Sequence, residues 1–120
     1  MAAKDVVGRD GEQLAADYLT GIGLKVIARN WRCREGELDI VATDQANLAV
    51  ICEVKTRSGI RYGSGAEAVD AGKRRRIRRL SQLWLADFQA RPGITVRFDV
   101  ISVLWLPGGV PELTHFAGAF

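Results

Sequence analysis

Residues 37–56, ELDIVATDQANLAVICEVKT, decide how this chain folds. Two runs rich in apolar residues, 37–43 and 48–56, flank Asp44-Gln45-Ala46-Asn47, a polar connection of hairpin length. Side chains alternate along a strand. Glu37, Asp39 and Val41 therefore share one face of the first run, opposite Leu38, Ile40 and Ala42. In the second run Ala49, Ile51, Glu53 and Lys55 share a face, opposite Leu48, Val50, Cys52 and Val54. An antiparallel register that pairs residues summing to 92 sets Asp39 against Glu53 and Glu37 against Lys55. A slip to 91 sends the two acids to opposite faces. A shared acidic face thus requires a three-residue connection or a bulge.

Working outward, residues 7–20 read as a helix. Leu14, Ala15, Tyr18, Leu19 and Ile22 form one apolar stripe, and Gly21 and Gly23 end it. Glu12 falls on the edge of that stripe, an odd place for a carboxylate without a task. Residues 24–30 form a further strand with Leu24, Val26 and Ala28 on one side. Beyond the hairpin comes a glycine-rich loop, IRYGSG (60–65), and then a second helix running to about Ala90, where Arg91-Pro92-Gly93 stops it. Its start has two candidates, Ser64 with Glu67 as a capping box and Asp70 as a simple cap; Asp70 is favoured. A last strand at 95–104 precedes a Pro107-Gly108-Gly109 turn and a tail containing Phe116 and Phe120. The order α-β-β-β-α-β implies an α/β fold, a mixed sheet with helices packed on it.

Composition agrees with one domain spanning 1–120. The chain has 120 residues, 48% hydrophobic and 26% charged, which excludes disorder as a default and supports a real core. No apolar run of about 18 residues exists to cross a membrane. The start, MAAKDVVGRDGEQL, lacks the apolar stretch of a signal peptide. Two cysteines and one histidine give no zinc spacing, so reduced thiols and a cytoplasmic location are expected.

Charge is concentrated. The net charge is +3, but residues 73–79 carry six of the cations; the other 11 against 14 acids leave −3. On a helical wheel Ile77, Leu80, Trp84 and Phe88 form the seam that docks on the sheet. Arg75 and Arg79 point away from it, Arg74, Arg76 and Arg78 flank it, and Lys73 lies in line with it. Like charges four residues apart weaken a helix, a cost that points to an anionic partner such as nucleic acid. Arg34, Arg57 and Arg61 in neighbouring loops extend the surface. The blander reading is a solvated face that keeps the protein soluble.

Glu53-Val54-Lys55 is the strongest local signal for chemistry. Alone, the tripeptide is common by chance. With Asp39 on the preceding strand and Glu12 at a helix edge, it describes crowded carboxylates that a cation must relieve. Hard oxygen ligands suit Mg²⁺ or Mn²⁺, with Lys55 as a fixed positive charge for a phosphate.

The segments GRDGEQLAADYL (8–19), ARNWRCREGELDIVA (28–42), CEVKTR (52–57), YGSGAEAVDAGKRRRIRRL (62–80) and RFDVISV (97–103) carry a resemblance. The chain resembles the YraN-type family of small bacterial proteins and, more remotely, archaeal Holliday-junction resolvases within the restriction-endonuclease-like PD-(D/E)xK superfamily. Leu38 stands where the motif's name has proline, and the tail FAGAF is less polar than the family's usual ending. The resemblance implies a restriction-endonuclease-like αβββαβ core and a divalent-metal nuclease site at Glu12, Asp39, Glu53 and Lys55, with Lys73 nearby.

The leading expectation is therefore a Mg²⁺- or Mn²⁺-dependent endonuclease acting on DNA. The resolvase likeness favours branched substrates and a homodimer. The metal is expected on Asp39, Glu53 and Glu12, and DNA on Lys73, Arg74, Arg75, Arg76, Arg78, Arg79, Arg57 and Arg34. The rival is a nucleic-acid-binding protein on the same fold without turnover.

Overall fold

A computed structural model describes residues 3–58 and 70–120. Helix α1 (Ala3–Gly21) is followed by β1 (Lys25–Cys33), β2 (Gly36–Thr43), β3 (Leu48–Arg57), α2 (Ala71–Phe88), β4 (Thr95–Leu104) and β5 (Glu112–Phe116). The strands form one sheet in the order β1-β2-β3-β4-β5. β1–β2, β2–β3 and β4–β5 pair antiparallel. The β3–β4 pair is parallel, and α2 lies in the connection between them. This is the mixed α/β arrangement expected, with the restriction-endonuclease-like element order and one added edge strand. No helix among the described residues is long and apolar enough to cross a membrane. The IRYGSG loop, Arg61 and the alternative Ser64/Glu67 cap lie outside the described residues.

Each face of the sheet has its own core. On the α1 side Ala15, Ala16 and Leu19 pack with Ile40, Ala42, Val50, Cys52, Ile101 and Val103. On the other side Ile77, Leu80 and Trp84 of α2 pack with Leu38, Val41, Ile51 and Val100. Helix α2 begins at Asp70, whose Oδ1 accepts the Lys73 backbone N–H at 2.8 Å. It ends at Gln89, which turns into the left-handed region (φ 55°) one residue before the expected Ala90.

Several expectations change. Ile22 is 51% exposed instead of joining the α1 stripe, because the helix has already ended at Gly21. Phe88 is 56% exposed; it stacks on Trp84 (4.8 Å between centroids) and does not dock on the sheet. Ala28 packs on the α2 side, not with Leu24 and Val26, since a register shift between Val26 and Ala28 reverses the alternation. Leu38 likewise joins Val41 in the α2-side core, so alternation breaks at Asp39 between them.

The tail contains β5, which pairs from Val100↔Phe116 to Leu104↔Glu112. A buried ion cluster anchors it. Asp99 is fully buried and accepts from Arg97 Nε and Nη2 (both 2.8 Å) and from the Gly118 N–H (3.0 Å). His115 Nε2 lies 2.7 Å from Asp99 Oδ2, and His115 Nδ1 lies 3.1 Å from the Tyr18 hydroxyl on α1. Burial opposes ionisation of Asp99, but Arg97, Gly118 and His115 outweigh it and hold the carboxyl below its ordinary range. Replacing Asp99 by Ala leaves a guanidinium and an imidazole without their acceptor. Urea unfolding should show a loss of about 3 kcal/mol, whereas a loss within 0.5 kcal/mol would mean the cluster is not what ties β5 to the sheet.

Candidate active site

The turn after β2 sets the register on which the site depends. Asp44 Oδ1 accepts the N–H groups of Ala46, Asn47 and Leu48 at 2.8, 3.1 and 3.0 Å. Gln45 takes φ 66°, and the Thr43 hydroxyl donates to the Leu48 carbonyl at 2.9 Å. Residues 44–48 thus span the gap between the paired Thr43 and Ala49, five residues where three were expected, with the same parity. Pairing continues as Val41↔Ile51 and Ile40↔Cys52, the register that sums to 92.

There the ladder stops. One step further Asp39 turns its carboxylate into the space where the strands part, and Oδ2 accepts the Val54 N–H at 2.9 Å. A side chain thus supplies the bond that a backbone carbonyl would have made. Glu53, 4% exposed, sits against Asp39 and is hydrogen-bonded to it. Burial, then the bond to and charge of Asp39, push the Glu53 carboxyl up to about 9, against the pull of Lys73 and Lys55. Burial and the contact with Asp39 thus favour the protonated form of Glu53.

Two lysines face this pair. Lys55 follows Glu53 at i+2 on the same face of β3, and Lys73 reaches it from the first turn of α2. Burial, and then the neighbouring Lys73 ammonium, lower the pKa of Lys55, while Glu53 and Asp39 raise it. Glu12 approaches from α1. The helix lies close to β3 here: a Cβ on Gly11 would overlap the Thr56 hydroxyl. Burial and the Asp39 charge raise the Glu12 pKa, opposed by Asn30 and Arg29.

Asn30 is the residue that sequence reasoning missed. Its carboxamide donates to Glu12 Oε2 (3.2 Å) and to Glu37 Oε1 (2.9 Å), the orientation its two acidic neighbours require. Glu37 also pairs with Arg32 at 3.3 Å. An asparagine inside a strand was the one available signal, because this residue type is poor in strands.

Asp39 and Glu53 could hold a divalent cation, and their all-oxygen donor set suits Mg²⁺ or Mn²⁺. A dication would take the place of the proton that burial favours on Glu53. Among the described residues no group of three His, Cys, Asp or Glu side chains is already gathered as a cage. Glu12 is held by Asn30 at the margin of the pair, where Asp39 affects it through charge.

The cations of α2 are not equivalent. Arg79 is paired with Glu35 of the β1–β2 hairpin (3.3 Å), an acid that the wheel of α2 alone did not reveal. Arg78 lies over the rings of Phe98 (5.4 Å) and Phe120 (5.5 Å), and Arg74 over Phe120 (5.6 Å). Arg75, Arg76 and Arg34 are exposed, Lys73 is half-buried, and Arg57 ends β3.

A raised carboxyl pKa has a definite consequence for stability. Glu53 titrates near 9 when folded and near 4.5 when unfolded. Its contribution is therefore complete below pH 4.5 and is lost as pH rises toward 9, at a limiting slope of about 1.4 kcal/mol per pH unit. In EDTA, Glu53→Gln should melt higher than the parent protein at pH 8 and close to it at pH 4.5. Parallel pH profiles for the two proteins would contradict the assignment.

Residues 11–103 match the family described as Uncharacterised protein family UPF0102. A UPF0102 protein of Frankia alni is 53% identical, over all of this chain and 98% of its own length. One from Mycolicibacterium gilvum is 57% identical over 93% of this chain and 91% of its own, and one from Mycobacterium tuberculosis 53% identical over 93% and 90%. By both the family match and these relatives, the chain belongs to the UPF0102 family.

Proposed function

We propose that this protein is a Mg²⁺- or Mn²⁺-dependent endonuclease that hydrolyses phosphodiester bonds in DNA. The observation that carries the reading is the contact of buried Glu53 with half-buried Asp39, beside Lys55 and Lys73, set where β2 and β3 part. Two carboxyl groups in contact, one of them buried, repel unless a proton or a cation joins them, and such arrangements gather at functional sites. A divalent ion bound there would activate a water and spread the charge that develops on a phosphoryl group.

The chain's own groups divide the remaining work. Asp39 and Glu53 supply oxygen donors, fixed on one side by the Val54 N–H. Glu53 must release its proton for the cation to bind, which couples binding to pH. Lys55 offers positive charge to the non-bridging oxygens of the scissile phosphate, and Lys73 adds a second charge from α2. Arg75, Arg76 and Arg34, exposed beyond the site, would meet the flanking backbone. Branched DNA is the favoured substrate, and a two-fold dimer would match its symmetry. Free Cys33 and Cys52 are compatible with a reducing cytoplasm.

Purified protein should cleave at least one of single-stranded, duplex and four-way DNA in Mg²⁺ or Mn²⁺. Asp39→Asn, Glu53→Gln and Lys55→Ala should each reduce the rate roughly 100-fold or more while leaving DNA affinity in EDTA intact or higher. Arg75→Ala with Arg76→Ala should instead weaken binding and lower the salt dependence of log K by about one for each phosphate left without its guanidinium. Salt-dependent binding with no cleavage in either metal would favour the binding protein without turnover.

A further inference from the structure

Asn30 departs from the strand that contains it. Its neighbours keep ladder partners on β2, Arg29 with Ile40 and Trp31 with Leu38. Asn30 between them has φ 51°, one of three non-glycine residues with positive φ among the described residues. The other two, Gln45 and Gln89, stand in a turn and at a helix end, where such angles are common. Inside a strand the left-handed region costs an L-residue about 1 kcal/mol or more, and asparagine tolerates it better than most.

The altered angle accompanies a specific set of bonds. The carboxamide reaches Glu12 on α1 and Glu37 on β2, two acids from different elements whose charges repel. A lysine or arginine in its place would neutralise them and occupy the position of any added cation. A carboxamide supplies two N–H donors and no charge. It can hold the Glu12 carboxylate in place without neutralising it, anchored through Glu37, whose own charge Arg32 meets at 3.3 Å.

We propose that Asn30 is a positioning residue of the acidic site: by bonding Glu12 to Glu37 across α1 and β2, it keeps the Glu12 carboxylate beside Asp39 for a divalent cation. The inference rests on the metal reading above and extends it to a residue outside the Asp39–Glu53–Lys55 set. Second-sphere hydrogen bonds of this kind typically carry 10- to 100-fold in metal affinity.

Asn30→Gly separates the side chain from the backbone, because glycine adopts φ 51° freely. Without metal the variant should melt at or above the parent temperature. Its Mn²⁺ affinity, followed as the rise in melting temperature over a titration, should be about tenfold weaker. Glu12→Gln should weaken Mn²⁺ comparably, and the double variant should be no weaker than either single one, since both changes remove the same contribution. Full Mn²⁺ affinity in Asn30→Gly, or losses that add in the double variant, would overturn the role of Asn30 and leave the metal reading standing. No Mn²⁺ response in the unsubstituted protein would overturn both.

Discussion

One hydrogen bond organises this molecule's chemistry: the Val54 N–H donated to the Asp39 carboxylate. It stands where backbone pairing between β2 and β3 ends, so the strands separate without leaving that amide unsatisfied. The exchange holds Asp39 at the point where the strands separate, against Glu53. Glu53 is carried inward on a strand whose neighbouring residues are core. A buried polar group must find a partner, and Glu53 finds the half-buried Asp39. Among the described residues no buried side-chain polar atom is without a hydrogen bond.

That solution is satisfied but not indifferent to charge. Protonation of Glu53, which burial favours, meets the hydrogen-bonding requirement, whereas a bound cation would call on both carboxylates. Lys55 and Lys73 balance some of the field but crowd each other. The Asp99 cluster provides the contrast. Its carboxylate is ionised, fully buried and met by a guanidinium, an imidazole and a backbone amide, so it requires no further partner. Two buried acids on adjacent strands thus differ in their surroundings: Asp99 is met by cationic and amide donors, whereas Glu53 meets a second acid.

Much of this was legible in the sequence because strand periodicity is local. The alternation of 37–43 and 48–56 set Asp39 against Glu53 on condition of a three-residue connection or a bulge; five residues, 44–48, give the same parity, and Asp39 meets Glu53 just beyond the last ladder pair, Ile40↔Cys52. Asp70 as the cap, Ile77, Leu80 and Trp84 as the docking seam, and Glu12 on the edge of α1 follow from helical spacing in the same way. What escaped depends on partners far away in the chain. Leu38 changes face because Asp39 leaves the ladder, which no two-residue pattern encodes. Asp99 is matched by His115, 16 residues on, in a short strand hidden behind a Pro/Gly turn. Asn30 carries meaning only once α1 brings Glu12 to it.

The central claim is that Asp39 and Glu53 exchange a shared proton for a hard dication. Crystals soaked in Mn²⁺ test it directly through anomalous scattering. The account predicts a peak between the two carboxyl groups, with Asp39 still accepting the Val54 N–H. A map without such a peak, in which Glu53 still donates to Asp39 at high Mn²⁺, would contradict it.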